Sequence, residues 1–102
     1  MHKRNFFLAA SALSEIRSAN LWYEEKSVGL GEKFQKELFS AIEKICFNPD
    51  SFGRINKRNK IRRCVMDNFP YKIYYDSKSD PIEILAIIHT SRSNAYIKRR
   101  LK

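Results

Sequence analysis

Phe69-Pro70-Tyr71-Lys72-Ile73-Tyr74-Tyr75-Asp76, a short polar turn, and then Ile82-Glu83-Ile84-Leu85-Ala86-Ile87-Ile88-His89-Thr90-Ser91-Arg92 make the stretch on which the fold turns. Over residues 82–88 both alternating sets of positions are apolar: Ile82, Ile84, Ala86 and Ile88 on one, Leu85 and Ile87 on the other. A strand covered on both faces reads this way, so this one is expected inside its sheet. His89, Arg92 and Tyr96 follow directly. They place a polar, partly titratable cluster at the lip of a rigid element, where sites are commonly built.

Working outward, residues 60–66 read as a further strand, turned by Asp67-Asn68 into the one that Pro70 opens. Residues 50–59 hold Gly53, few apolar side chains and dense charge, and read as a loop. Nearer the start, residues 4–8 suit a short strand. Ala9, Ala12, Leu13, Ile16, Ala19 and Tyr23 then mark one face of a helix running to about Lys26, with Glu24 and Glu25 on its far side. Gly29-Leu30-Gly31 breaks that helix. Phe34, Leu38, Ala41, Ile42 and Ile45 define a second, which Asn48-Pro49 ends because the residue before proline is pushed out of the helical region.

The order is therefore β-α-α-β-β-β: an α+β domain in which a two-helix hairpin packs on one face of a small, mostly antiparallel four-stranded sheet. The other face is expected to stay partly open, with aromatic area beside arginines. Trp22 is expected to seal the helical hairpin, since its indole has a large area to bury and one donor to satisfy. A short helical turn over 95–101 closes the chain.

Length and composition agree with one domain, because 102 residues at 43% apolar content suffice for a single core. The formal charge of +9 is uneven. Residues 1–50 hold seven basic and seven acidic side chains, whereas residues 51–102 hold thirteen and four. Most of the excess lies in residues 54–63, with Arg54, Lys57, Arg58, Lys60, Arg62 and Arg63, and in the tail, with Arg92, Lys98, Arg99, Arg100 and Lys102; neither stretch contains an acid. Such single-sign patches attract polyanions or an acidic protein partner.

Cys46 and Cys64 stand apart, without a C-x-x-C, and there are only two histidines, so no zinc constellation can be assembled; no metal site or cofactor is expected. Reduced, buried thiols in a cytoplasmic protein are expected. His2-Lys3-Arg4 and the apolar run after it imitate a signal peptide, but Leu13, Ile16 and Tyr23 carry the helical spacing straight through the supposed cleavage site. No apolar run approaches the roughly 20 residues of a membrane span.

The assembled segments resemble the RelE/ParE superfamily of toxins from bacterial type II toxin–antitoxin systems. Trp22-Tyr23-Glu24, Gly29-Leu30-Gly31 with Phe34, Asn48-Pro49, Ile61-Arg62-Arg63 leading to Phe69-Pro70-Tyr71 and Tyr75, and His89-x-x-Arg92 followed by Tyr96 and Arg99-Arg100 carry the likeness over nearly the whole chain. The resemblance implies a compact toxin in a hetero-oligomer with a cognate antitoxin, whose acidic or amphipathic segment folds on contact. It also implies one of two targets, DNA gyrase or mRNA in the ribosome.

Metal-free RNA cleavage needs a base for the 2′-hydroxyl, cations for the phosphorane and an acid for the leaving oxygen. His89, Arg92, Tyr96 and one of Arg62 or Arg63 are the candidates. Arg62 and Arg63 point to opposite sheet faces, so at most one joins a given site. Against this, a histidine at a strand end is commonly structural, and His-x-x-Arg with Phe-Pro-Tyr looks more like the ParE side of the superfamily. There the loop and tail cations Arg54, Lys57, Arg58, Lys60, Lys98, Arg99 and Arg100 would dock on gyrase or its DNA. A nucleic-acid-binding relative without toxicity is the third possibility.

Overall fold

A computed structural model describes residues 3–55 and 60–100. Strand β1 (Phe6–Leu8) leads into helices α1 (Ala10–Lys26) and α2 (Leu30–Phe47). Then follow β2 (Gly53–Arg54), β3 (Ile61–Val65), β4 (Tyr71–Asp76), β5 (Ile82–His89) and α3 (Asn94–Arg100). The five strands form one sheet in the order β1-β5-β4-β3-β2, with β1 parallel to β5 and every other pair antiparallel. The α+β architecture and element order expected from sequence hold, with a fifth strand in addition. Gly53 and Arg54, expected in a loop, pair with Arg63 and Arg62.

Helical spacing sets the hairpin. Ala12, Ile16, Ala19 and Tyr23 of α1 and Phe34, Leu38, Ile42 and Ile45 of α2 are buried, and they pack with Ile73, Tyr75, Ile82, Ile84 and Ile87 of the sheet. The turn depends on two glycines for different reasons. Gly29 adopts φ +89°, the left-handed region that glycine enters without penalty. Gly31 lies inside α2, and a Cβ there would stand 2.6 Å from Asn20 Oδ1 and 2.8 Å from the Asn20 carbonyl oxygen, so it lets the helices approach closely. Gly29 has no side chain to cap α2. The Glu24 carboxylate does so instead, accepting from the amides of Gly29 (3.0 Å) and Gly31 (3.1 Å).

The second face of the sheet, expected to be partly open, is covered by α3 over an apolar cluster of its own. Ile97 of α3 is fully buried among Ile55, Ile61, Tyr74, Ala86 and Ile88. A bulge in β5 makes this possible: Tyr74 faces Ala86 while Tyr75 faces Ile84, leaving Leu85 as the extra residue. Ile82 and Ile84 therefore point to the helical hairpin, whereas Ala86 and Ile88 point to α3, which breaks the single alternation read from sequence. Trp22 differs as well. It is 54% exposed and lies edge-on to Tyr23, at the rim of the hairpin. Among the described residues, no helix is long and apolar enough to cross a membrane.

Candidate functional site

Helix α3 is fixed to the sheet at both ends. The Tyr74 hydroxyl donates to Asn94 Oδ1 (2.9 Å), and the buried Lys72 ammonium donates to the Arg92 carbonyl (2.6 Å). At the far end the Arg100 guanidinium is bound by both oxygens of Glu15 on α1, and that hydrogen bonding raises its pKa further above the ordinary arginine value. Between these anchors the Arg92 guanidinium stacks on the Tyr96 ring, 4.5 Å from its centroid, while Lys98 and Arg99 face solvent.

Arg62 and Arg63 separate as alternation requires. Arg62 lies on the α1/α2 side, where it donates to the Phe52 carbonyl (2.6 Å) and approaches Asp50 (3.6 Å). Its role there is to hold the chain after α2 against β3. Arg63 sits opposite Tyr74 on the α3 side, half-buried and without an acid in ion-pair range among the described residues. Lys60 is exposed and pairs with Asp76 at 3.2 Å, and Arg54 lies in β2 on the sheet edge. Ile55 and Ile61, which flank the basic loop, share one apolar cluster with Ile97 and Tyr96, so both ends of that loop lie beside α3. Lys57 and Arg58 lie outside the described residues.

His89 occupies the opposite side from Arg63. Its ring stands edge-on to Tyr71, with centroids 5.4 Å apart. The Ser91 amide donates to Nδ1 (3.1 Å), so the neutral ring carries its proton on Nε2. The five candidates for RNA cleavage therefore do not converge. Arg92 and Tyr96 touch, but Arg62 is engaged by backbone on the other face. Along β4 the partners of Arg62 and His89 are Tyr75 and Tyr71, four residues or roughly 13 Å apart.

His89 instead closes one end of a groove of about 750 Å³ between α1 and the ends of β4 and β5, lined also by Ala19, Trp22, Tyr23, Tyr71 and Ile87. Burial raises the pKa of the Tyr23 and Tyr71 phenols, so both stay protonated donors at neutral pH. Glu15, also at this groove, accepts from the Ile87 amide (2.9 Å). Neither the groove nor Glu15 was apparent in the sequence; the available signal was a lone acid four positions after Ser11 and seven before an exposed tryptophan, all on one stripe of α1. Among the described residues no group of three or more His, Cys, Asp or Glu side chains could hold a metal ion.

Comparison with known proteins gives these features a context. No curated protein sequence matches the chain. In structure it is similar to a chain of the chromosomal ParDE toxin–antitoxin system from P. aeruginosa, with a TM-score of 0.71 at 15% identity over 87% of this chain and 98% of that one. The family model for the ParE toxin of the type II toxin–antitoxin system parDE matches residues 6–94. The chain belongs to the ParE toxin family and is the toxin component of a type II toxin–antitoxin system, with a cognate antitoxin as its partner.

Proposed function

We propose that this toxin arrests growth by binding DNA gyrase on DNA, in the cytoplasm, through the side of the molecule that carries α3. The observation that supports this reading is the separation of the groups an RNA-cleaving site would need, with His89 and Arg62 on the face turned away from Arg63. Poisoning gyrase is a binding function and needs no proton-transfer centre of the toxin's own. What it needs is a cationic surface, and Arg63, Arg92, Lys98 and Arg99 supply one, with Ile55 and Ile61 packed against α3 beside them. The Arg92–Tyr96 stack holds one of these cations at a defined height over the helix.

The test pairs two assays on the same preparation. With purified gyrase the toxin is expected to inhibit supercoiling and accumulate cleaved DNA, and in a translating extract it is expected to leave mRNA 5′ ends unchanged. Cuts at codon positions would transfer the function to the ribosome. Arg92→Ala with Tyr96→Phe would then abolish toxicity, whereas under gyrase binding removing the chain after Asn94 is the more damaging change.

A further inference from the structure

Strand β1 is one border of the sheet, and its outer side is unguarded. In the parallel pairing, the Asn5 carbonyl accepts from the Ile82 amide and the Ala9 amide donates to the Ile84 carbonyl, so alternate residues of β1 direct their backbone groups at β5. Arg4, Phe6 and Leu8 turn theirs outward. The Arg4 amide is taken by the Cys46 carbonyl near the end of α2 (3.0 Å), and α1 begins at Ala10. Between those bounds the outward amides and carbonyls of Phe6 and Leu8 meet no partner among the described residues. Residues 6–8 also carry no charge, the usual device against pairing at an open edge. The opposite border does have it, with Arg54 in β2 and Arg62 and Arg63 in β3.

Aromatic side chains surround the open edge. Phe6 and Phe7 are 38% and 46% exposed, and alternation puts them on opposite faces of β1. Phe6 meets Phe39 of α2, with centroids 6.2 Å apart, and Phe47 lies half-exposed two turns further along that helix. Local charges cancel, since Lys3 pairs with Glu43 at 2.7 Å. These features fit a second copy of the same chain. Residues 1–50 sum to zero charge, and the basic border lies four strand spacings away, roughly 19 Å, so two chains of charge +9 meet here with least repulsion. A nucleic acid would be drawn to the far border instead.

We infer that two copies of this toxin associate through β1, each strand pairing antiparallel with the other across a two-fold axis at Phe7 and joining two five-stranded sheets into one. Phe6 exchanges its outward amide and carbonyl with the partner's Leu8, and Leu8 does so with the partner's Phe6. Every open group on both copies is then satisfied. Arg4 and the start of α1 block longer pairings, which fixes the register on Phe7. The two Phe7 rings face each other at a position without hydrogen bonds, where opposite side chains come closest. The pairing is independent of which target the toxin attacks.

The experiment is sedimentation of the purified toxin between about 10 and 500 µM, a range suited to so small an interface. The expected mass rises toward twice that of the monomer, and more so at high salt, which screens the repulsion between the copies. A monomer throughout, or a dimer that dissociates in salt, would overturn the inference. Phe7→Lys sets like charges opposite each other and should weaken association tenfold or more while the melting temperature stays within a few degrees. Phe7→Cys locates the axis. Opposed residues at such a position lie about 4.5 Å apart between Cα atoms, within disulfide range, and Cys46 and Cys64 are buried, so oxidised glutathione should give a covalent dimer. If Phe47→Cys cross-links and Phe7→Cys does not, the copies meet through α2 and the strand pairing is wrong. Each of these failures leaves the toxin assignment intact.

Discussion

Tyr74 and Tyr75 are neighbours in β4, both are fully buried, and their hydroxyls anchor opposite layers: Tyr74 donates to Asn94 at the start of α3, Tyr75 to the Pro49 carbonyl just beyond α2. One dipeptide thus ties the helical hairpin and the basic helix to the same strand. Removing either hydroxyl should cost about 1 kcal/mol, with more if the partner is left unsatisfied. The consequences should differ in place. Tyr74→Phe is expected to speed amide exchange in α3 alone, and Tyr75→Phe in the segment after α2; equal effects in both regions would contradict the separate anchoring.

The α1–α2 contact is sensitive to a single methyl group. Gly31→Ala is expected to destabilise by about 1–3 kcal/mol, because its Cβ would meet Asn20 side chain and backbone at once. Gly29→Ala meets nothing in space and should cost about 1–2 kcal/mol from its left-handed backbone alone. Urea midpoints with unchanged m-values would measure both.

Alkaline pH should unfold the protein. Burial raises the pKa of the Cys46 and Cys64 thiols above 9.0 and of the Tyr23, Tyr71 and Tyr75 phenols above 10.0. The folded state therefore keeps protons that the unfolded chain releases. Stability is full below about pH 9 and falls as pH rises, at up to about 1.4 kcal/mol per pH unit for each group that ionises only on unfolding. Urea midpoints between pH 8 and 11 should show the decline, and Tyr75→Phe should make it shallower.

The two adjacent arginines should separate by phenotype. Arg62→Ala is expected to lower stability by about 1–3 kcal/mol, since it strands the Phe52 carbonyl, while leaving gyrase inhibition by the remaining folded protein unchanged. Arg63→Gln with Lys98→Gln and Arg99→Gln should keep the melting temperature within a few degrees yet weaken inhibition and flatten its salt dependence. The reverse pattern would place the docking surface on the hairpin side.

Much of the architecture could be read from the sequence because it is carried by local periodicity. The 69–89 hairpin, both helical stripes and the opposite facing of Arg62 and Arg63 all follow from spacing. What escaped depended on distant partners or on too few residues. Strand β2 is two residues long, too short for any period. The Leu85 bulge is invisible where every neighbour is apolar. Helix α3 offers only Ile97 as a fully buried side chain, so its cover of the second face is a tertiary fact. Glu15 reaches Ile87 across 72 positions, and nothing local announces it. At the candidate site the cations were legible as a group, but not which of them serve structure, since that is decided by the Phe52 carbonyl and Asp50 at Arg62.

The parallel pairing of β1 with β5 joins residues 6–8 to residues 82–84. During synthesis β1 must wait until residues 82–84 have been made before it finds its neighbour, although the helix pair after it needs only local contacts. A translating ribosome therefore carries an unfinished toxin until β5 emerges, and nothing that recognises the completed sheet can engage it before then.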